Sequence, residues 1–137
     1  MSSSSRPVSV SEVMTRRLRI AEPSQPLQVI WQMLAEERCH HIPIVENGCP
    51  VGIISARDLV RFARRQGREN AAAGFDGSET AAEIMSTDLE TIHVDESVEI
   101  AIDRIGRGEF HALLVVNDDE DLAGIVTNHD LLQYLIG

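Results

Sequence analysis

Gly52-Ile53-Ile54-Ser55-Ala56-Arg57-Asp58-Leu59 returns 72 residues later as Gly124-Ile125-Val126-Thr127-Asn128-His129-Asp130-Leu131. Each version places a glycine before a short apolar run, then a hydroxyl, then a carboxylate three residues on. Outward from this segment the chain matches itself at an offset of 71. Ser9-Val10-Ser11-Glu12-Val13-Met14-Thr15 falls on Thr80-Ala81-Ala82-Glu83-Ile84-Met85-Ser86, Leu18 on Leu89, Leu27 on Val98, His40 on His111, and Ile44-Val45 on Val115-Val116. One inserted residue near Asp121 moves the offset to 72. A register kept over nearly sixty residues marks a tandem repeat. The expected organisation is a polar tail over 1–8, a first copy over 9–66, a linker over 67–79 and a second copy over 80–137.

Both copies predict the same elements. Ser9 with Glu12, and Thr80 with Glu83, are capping boxes that start a short helix. Short extended segments follow near Arg19-Ile20-Ala21 and Thr91-Ile92-His93. A helix comes next, with Ser24 and Asp95 as expected N-caps and Pro26 in its first turn. Leu27, Ile30, Trp31 and Leu34, matched by Val98, Ala101, Ile102 and Ile105, form the i, i+3, i+4, i+7 stripe of a helix packed on one face. Gly106 and Gly108 suggest where the second such helix stops. Two strands then flank a turn, Ile42–Val45 and Val51–Ile54 around Asn47-Gly48, and Ala112–Val116 and Ala123–Val126 around Asn117-Asp118-Asp119-Glu120. A last helix runs from Ser55 to about Arg65, and from Thr127 to about Leu135. Each β-α-β-β-α unit is too small to bury its own faces well, so an α/β (α+β) pair packed about a pseudo-two-fold axis is expected.

Composition bounds the function. The chain is 43% hydrophobic but only 4% aromatic, so Val, Ile, Leu and Ala must build the core. No apolar run approaches the ~20 residues of a membrane span, and the Ser-rich N-terminus lacks the apolar stretch of a signal peptide. Cys39 and Cys49 make no disulfide framework. A soluble, cytoplasmic chain is expected. The net charge of −10 is uneven: residues 1–75 carry a net of +3, and residues 76–137 a net of −13. This balance argues against non-specific nucleic-acid binding. It suits solubility, or a dimer in which the basic half of one copy meets the acidic half of another.

The Ser/Thr-x-x-Asp turn has two readings. It is a near capping box, with Asp in place of Glu, and spacing alone favours that role. The same geometry offers helix-terminal amides and a hydroxyl to a phosphate, Arg57 as a cationic fork, and a carboxylate to ribose hydroxyls. The glycine before the strand suits close approach of a ligand or of backbone.

The succession of a capped turn ending in Met-Thr or Met-Ser, a helix, His41-Ile-Pro43-Ile-Val45, a turn and Gly-Ile-Ile-Ser-x-x-Asp-Leu resembles a cystathionine-beta-synthase (CBS) domain. The second copy makes it resemble a CBS pair, over nearly everything after residue 8. The resemblance implies adenosine-ligand binding between the copies: AMP, ADP, ATP, or a relative such as NAD or S-adenosylmethionine. It implies ribose contacts at Asp58 and Asp130, and phosphate contacts near Ser55, Arg57, Thr127 and His129. It places the base near Ile20, Ala21, His41, Ile42, Thr91, Ile92, Ala112 and Leu113. It further implies a regulatory module rather than an enzyme, a homodimer, an effector protein that reads the ligand state, and no required cofactor.

Two features depart from the family pattern. Leu18 and Leu89 stand where many members have proline after the opening turn, and Leu114 replaces Pro43 in the second copy. The Asp58 site is the favoured one, because Arg16, Arg17, Arg19 and Arg57 lie in its copy. His40, His41 and His111 lack further ligands at metal-site spacing. There is no Walker loop, no Gly-x-Ser-x-Gly elbow and no nucleophile with an evident base.

Overall fold

The computed structural model describes residues 7–37, 40–65, 78–108 and 111–137. The expectations for the tail up to residue 6, for Cys39, for the end of the first copy at residue 66 and for the linker up to residue 77 lie outside them. Two compact units form. One comprises Arg19–Leu89, and the other joins the chain up to Leu18 with Glu90–Gly137.

In the Arg19–Leu89 unit, helix α1 (Leu27–Glu37) precedes a hairpin of β1 (His41–Glu46) and β2 (Cys49–Ser55), and helix α2 (Ala56–Arg65) follows. Asn47 and Gly48 turn the hairpin with φ of 53° and 83°. Positive φ at both central residues matches the strand twist, as Asn-Gly predicts. Ala21 adds a parallel bridge to Ile44, with its N–H on the Pro43 carbonyl at 3.1 Å. The core gathers Ala21, Leu27, Ile30, Met33, Leu34, Ile42, Ile44, Ile54 and Leu59, as the helix stripe and the strand pattern require. Trp31 is half-buried at its edge.

The other unit repeats the plan. β3 (Thr91–His93) lies parallel to β4 (Ala112–Val116), which pairs antiparallel with β5 (Leu122–Thr127). Helix α4 (Val98–Gly106) precedes β4, and α5 (Asn128–Ile136) follows β5. Its core holds Val10, Met14, Ile92, Val98, Ala101, Leu113, Val115, Val126 and Leu131. The Asn117 side chain closes the β4–β5 turn by accepting from the amides of Asp119 (2.9 Å) and Asp121 (3.0 Å). Gly108, at φ 81°, donates to the Ile105 carbonyl and ends α4, as expected.

The opening turns change places. The 3₁₀ turn Val10–Glu12 belongs to the first copy in sequence, yet it packs in the unit built by the second. Ser9 bridges Ser97, and the Val98 amide reaches the Val8 carbonyl at 2.8 Å. Its counterpart, helix α3 (Ala81–Ile84), packs with the first copy: Thr80 bridges Pro26, and Ala81 is wholly buried in that core. Both capping boxes form, Ser9 with Glu12 and Thr80 with Glu83. Repeats along the chain and compact bodies in space are thus different partitions. Each turn has too few apolar residues to be stable alone, and it buries those it has, Ala81 in one unit and Val10 and Met14 in the other, in the core that receives it.

Two expected caps are corrected. Ser97, not Asp95, caps α4, its hydroxyl accepting from the Glu99 amide at 3.1 Å. Asp95 lies too far upstream, in a turn where its own amide donates to His93 Nδ1 at 3.1 Å. Ser24 likewise lies too early for α1. Pro26 directly precedes the helix, and its carbonyl accepts from the Val29 amide at 3.0 Å.

Candidate functional site

β2 ends at Ser55 and α2 begins at Ala56, so the sheet delivers a hydroxyl directly to a helix N-terminus. The Asp58 amide donates to Ser55 Oγ at 3.1 Å, and the Ser55 amide to Asp58 Oδ2 at 2.9 Å. The Thr127–Asp130 turn repeats this: Thr127 N–H lies 2.9 Å from Asp130 Oδ2, and Asp130 N–H 3.4 Å from Thr127 Oγ1. The capping role inferred from spacing is therefore realised in both copies.

The cap leaves acceptor capacity, and in unequal measure. A carboxylate has two oxygens and about four lone-pair directions. Asp130 uses both oxygens, since Oδ2 also takes the Thr127 hydroxyl at 3.2 Å and Oδ1 takes the Thr15 hydroxyl at 2.9 Å. Asp58 is half-buried, and its Oδ1 accepts no hydrogen bond among the described residues. Ser86 occupies the place of Thr15 in the other unit and makes the same pair of backbone bonds, to Ile53 rather than to Ile125.

The strand register assembles most of the residues singled out in sequence. His41 pairs with Ser55 and Ile42 with Ile54, while Ala112 pairs with Thr127 and Leu113 with Val126. Thr91 lies beside Leu114. Ile20 and Ala21 run along β1 through the Ala21–Ile44 bridge. His41, Ile42, Ala112 and Leu113 thus gather at the end of the hairpin that leads into the motif helix, whereas Ala21, Thr91 and Ile92 lie farther along the strand, toward the hairpin tip. Burial divides them. Ala21, Ile42, Ile92 and Leu113 turn their side chains into the core, so only their backbone can meet a ligand. Ile20 and Thr91 are exposed, His41 and Ala112 half-buried, and Arg57 and His129 exposed on the first helical turn. The Ala56 amide is taken by the His40 carbonyl at 3.1 Å, which reduces the donors that α2 can offer to an anion.

One sequence expectation is relocated, and of the two roles offered for the glycines one is realised. Arg16 and Arg17 lie in the unit of Asp130, not that of Asp58, because the opening turn is exchanged; Arg16 donates to the Ser11 carbonyl at 3.0 Å. Gly52 and Gly124 admit protein rather than ligand. A Cβ on Gly52 would meet the Met85 side chain, and one on Gly124 would lie 2.7 Å from Met14 Sδ and 2.8 Å from the Thr15 carbonyl. A recess of about 390 Å³ borders Ile20 and Ala21 but is completed by Glu22, Gln25, Val45, Asn47 and Gly48, at the hairpin tip opposite Ser55.

Sequence reasoning missed Arg104. Its guanidinium bonds the Thr91 carbonyl at 2.7 Å and Glu90 Oε1 at 2.8 Å, covering one of the expected base positions. The signal was the exchange of Glu90 and Arg104 for Arg19 and Met33 in the first copy. Among the described residues, no three His, Cys, Asp or Glu side chains gather at a metal-binding distance, and no helix is long and apolar enough to cross a membrane. Cys49 is half-buried and outside any disulfide.

Duplicated α+β units, each ending its hairpin in a hydroxyl–carboxylate helix cap, define a tandem-repeat module. The chain belongs to the CBS domain family, whose model matches residues 10–65 and 81–137. It is 30% identical over 123 residues to the CBS domain-containing protein YhcV of Bacillus subtilis, covering 90% of this chain and 82% of that protein. It is also 30% identical to a homoserine O-acetyltransferase of Methanococcoides burtonii, over 90% of this chain but only 23% of that much longer protein. Among solved structures, the CBS domain pair of protein MJ0100, in complex with 5′-methylthioadenosine and S-adenosyl-L-methionine, superposes with a TM-score of 0.78 at 25% identity, over 96% of this chain and 98% of that one. CBSX2 in complex with AMP shares the fold, with a TM-score of 0.79 at 21% identity over 93% and 96%.

Proposed function

We propose that the chain is a regulatory, non-catalytic CBS-pair module of the cytoplasm that binds an adenosine-containing ligand and signals its presence to a partner protein by a change of conformation. The observation that carries the proposal is the Asp58 carboxylate: half-buried, fixed by one oxygen in a helix cap, with the other oxygen accepting no hydrogen bond among the described residues and so suited to a ribose hydroxyl. Ser55 and Arg57 flank it for phosphate, and the exposed Ile20 and half-buried His41 border the base position. The ligands held by the MJ0100 pair support the adenosine class, since both contain a ribose and an adenine. AMP, ADP, ATP and NAD belong to the same panel, with energy sensing as the role if the adenine nucleotides bind.

A ligand that prefers one conformation shifts the equilibrium toward it, which is how an effector would read occupancy. We further propose a homodimer. Helices α1 and α2 enclose an apolar recess of about 180 Å³ lined by Trp31, Leu34, Ala35, Ala56, Leu59 and Val60. The second copy exposes Leu132, the counterpart of Val60, at 55% against 67%. An apolar face repeated in both copies suits pairing with a second copy of the chain.

A second reading has an observation of its own. Because the Ser55–Asp58 and Thr127–Asp130 caps are complete, the motif also serves an interaction module with no ligand. Calorimetry and thermal shift with AMP, ATP, 5′-methylthioadenosine and S-adenosylmethionine separate the two. The sensor raises its melting temperature with ligand by mass action, and Asp58→Ala loses binding far beyond its loss of apo stability. If no ligand binds the wild type, and both Asp→Ala variants lose only the ~1 kcal/mol of a cap, the interaction module stands and the sensor falls.

A further inference from the structure

Thr15 and Ser86 are equivalent residues in equivalent places. Each ends an exchanged opening turn, and each bridges the second strand of the hairpin it joins. Thr15 pairs with Ile125 at 2.8 and 3.0 Å, and Ser86 with Ile53 at 2.9 and 3.0 Å. The methionine before each packs over a glycine, Met14 on Gly124 and Met85 on Gly52. The backbones match, and the side chains do different things. Thr15 Oγ1 donates to Asp130 Oδ1 at 2.9 Å. Ser86 makes no side-chain hydrogen bond among the described residues, and Asp58 Oδ1 accepts none. The γ-methyl of threonine restricts its χ1, whereas serine rotates among three rotamers.

We propose that Thr15 acts as a built-in competitor at the second site: its hydroxyl occupies the Asp130 oxygen that a ribose hydroxyl needs, so that ligand fills the Asp58 site first. The inference rests on the adenosine-binding reading above. Asp130 accepts three hydrogen bonds, from the Thr127 amide, the Thr127 hydroxyl and the Thr15 hydroxyl. Among the described residues, Asp58 accepts one, from the Ser55 amide. A vicinal diol brings two donors, which Asp58 can take directly and Asp130 can take only by releasing Thr15. One solvent-exposed hydroxyl–carboxylate hydrogen bond given up to water in this way corresponds to about a five- to tenfold difference in affinity. Thr15 lies in the copy opposite to Asp130 in sequence, so the opening turn of one repeat sets the affinity of the other.

The test is titration calorimetry of the full chain with 5′-methylthioadenosine and, separately, AMP. Wild type is expected to show one tighter and one weaker event, with Asp58→Ala removing the tighter. Thr15→Val keeps the shape and the backbone bridge but removes the donor, and it tightens the weaker event about five- to tenfold. Asp130→Ala added to Thr15→Val abolishes that gain. Ser86→Thr weakens the Asp58 event. A tighter event that disappears with Asp130→Ala, or a weaker event unmoved by Thr15→Val, overturns the role of Thr15 while leaving adenosine binding intact. Silence from both ligands in every variant overturns the binding reading and this inference together. A merely structural Thr15 lowers the melting temperature of Thr15→Val and moves neither event.

Discussion

Gly52 and Met85 are in such close contact that a Cβ on Gly52 would fall 2.7 Å from Met85 Cγ. Met85 comes from the opening turn of the other repeat, so the glycine marks the slot that receives the exchanged segment. Gly52→Ala is expected to destabilise by roughly 1–3 kcal/mol, the usual range for overpacking a core. Gly124→Ala costs more, because its Cβ meets the Thr15 carbonyl as well as Met14, and backbone yields less than a flexible thioether. Urea denaturation of double variants makes the distinction. Met85→Ala relieves Gly52→Ala, whereas Met14→Ala leaves most of the Gly124→Ala penalty. Equal rescue in both pairs would show that the strand and turn adjust freely.

The cap of α4 gives a second, smaller prediction. Ser97 Oγ accepts the Glu99 amide, while the Asp95 side chain is 83% exposed and 3.8 Å from His93. Ser97→Ala therefore costs about 1 kcal/mol, and Asp95→Ala stays within about 0.5 kcal/mol, as for other exposed pairs. Thermal denaturation of the two variants side by side checks the order, and a larger loss from Asp95→Ala would move the cap back to the aspartate.

What could be read from the sequence was what is local. The helix stripe of Leu27, Ile30 and Leu34, the Asn47-Gly48 hairpin, the capping boxes and the Ser/Thr-x-x-Asp turns all depend on residues within a few positions of each other, and all formed as expected. The exchange of the opening turns was not legible, because a capped turn carries no record of which core receives it. That exchange moved Arg16 and Arg17 into the other unit. It also gave Gly52 and Gly124 a packing role that close approach alone does not specify. The Thr15–Asp130 bond spans 115 positions, beyond any periodicity argument.

Arg104 gives a third prediction. Arg104 and Glu90 are about one-third exposed, and the guanidinium also holds the Thr91 carbonyl. Arg104→Met, the residue found at the matching position Met33, is expected to cost on the order of 1 kcal/mol: more than a surface pair, because a backbone bond is lost too. A cycle with Glu90→Gln should show a coupling of about 0.5–1 kcal/mol that shrinks in high salt. Zero coupling in low salt would reduce the contact to a surface accident.

The last prediction concerns the dimer. Helix α2 carries Arg57, Arg61, Arg64 and Arg65 beside the exposed Val60, while residues 76–137 carry a net of −13. If pairing brings these together, apolar contact holds the dimer and charge speeds and orients its formation. Val60→Glu then places a carboxylate in the apolar seam and should weaken association at least about tenfold, the desolvation of one charge exceeding what a rim contact could supply. Raising salt from about 0.05 to 0.5 M, through which the Debye length falls to a few ångströms, should weaken the wild-type dimer about tenfold by screening the arginines from their partners. Sedimentation equilibrium reads both effects. A dimer that Val60→Glu dissociates but salt leaves unchanged keeps the apolar seam and removes the charge pairing. A dimer weakened by salt but indifferent to Val60→Glu places the interface elsewhere, on the charged faces.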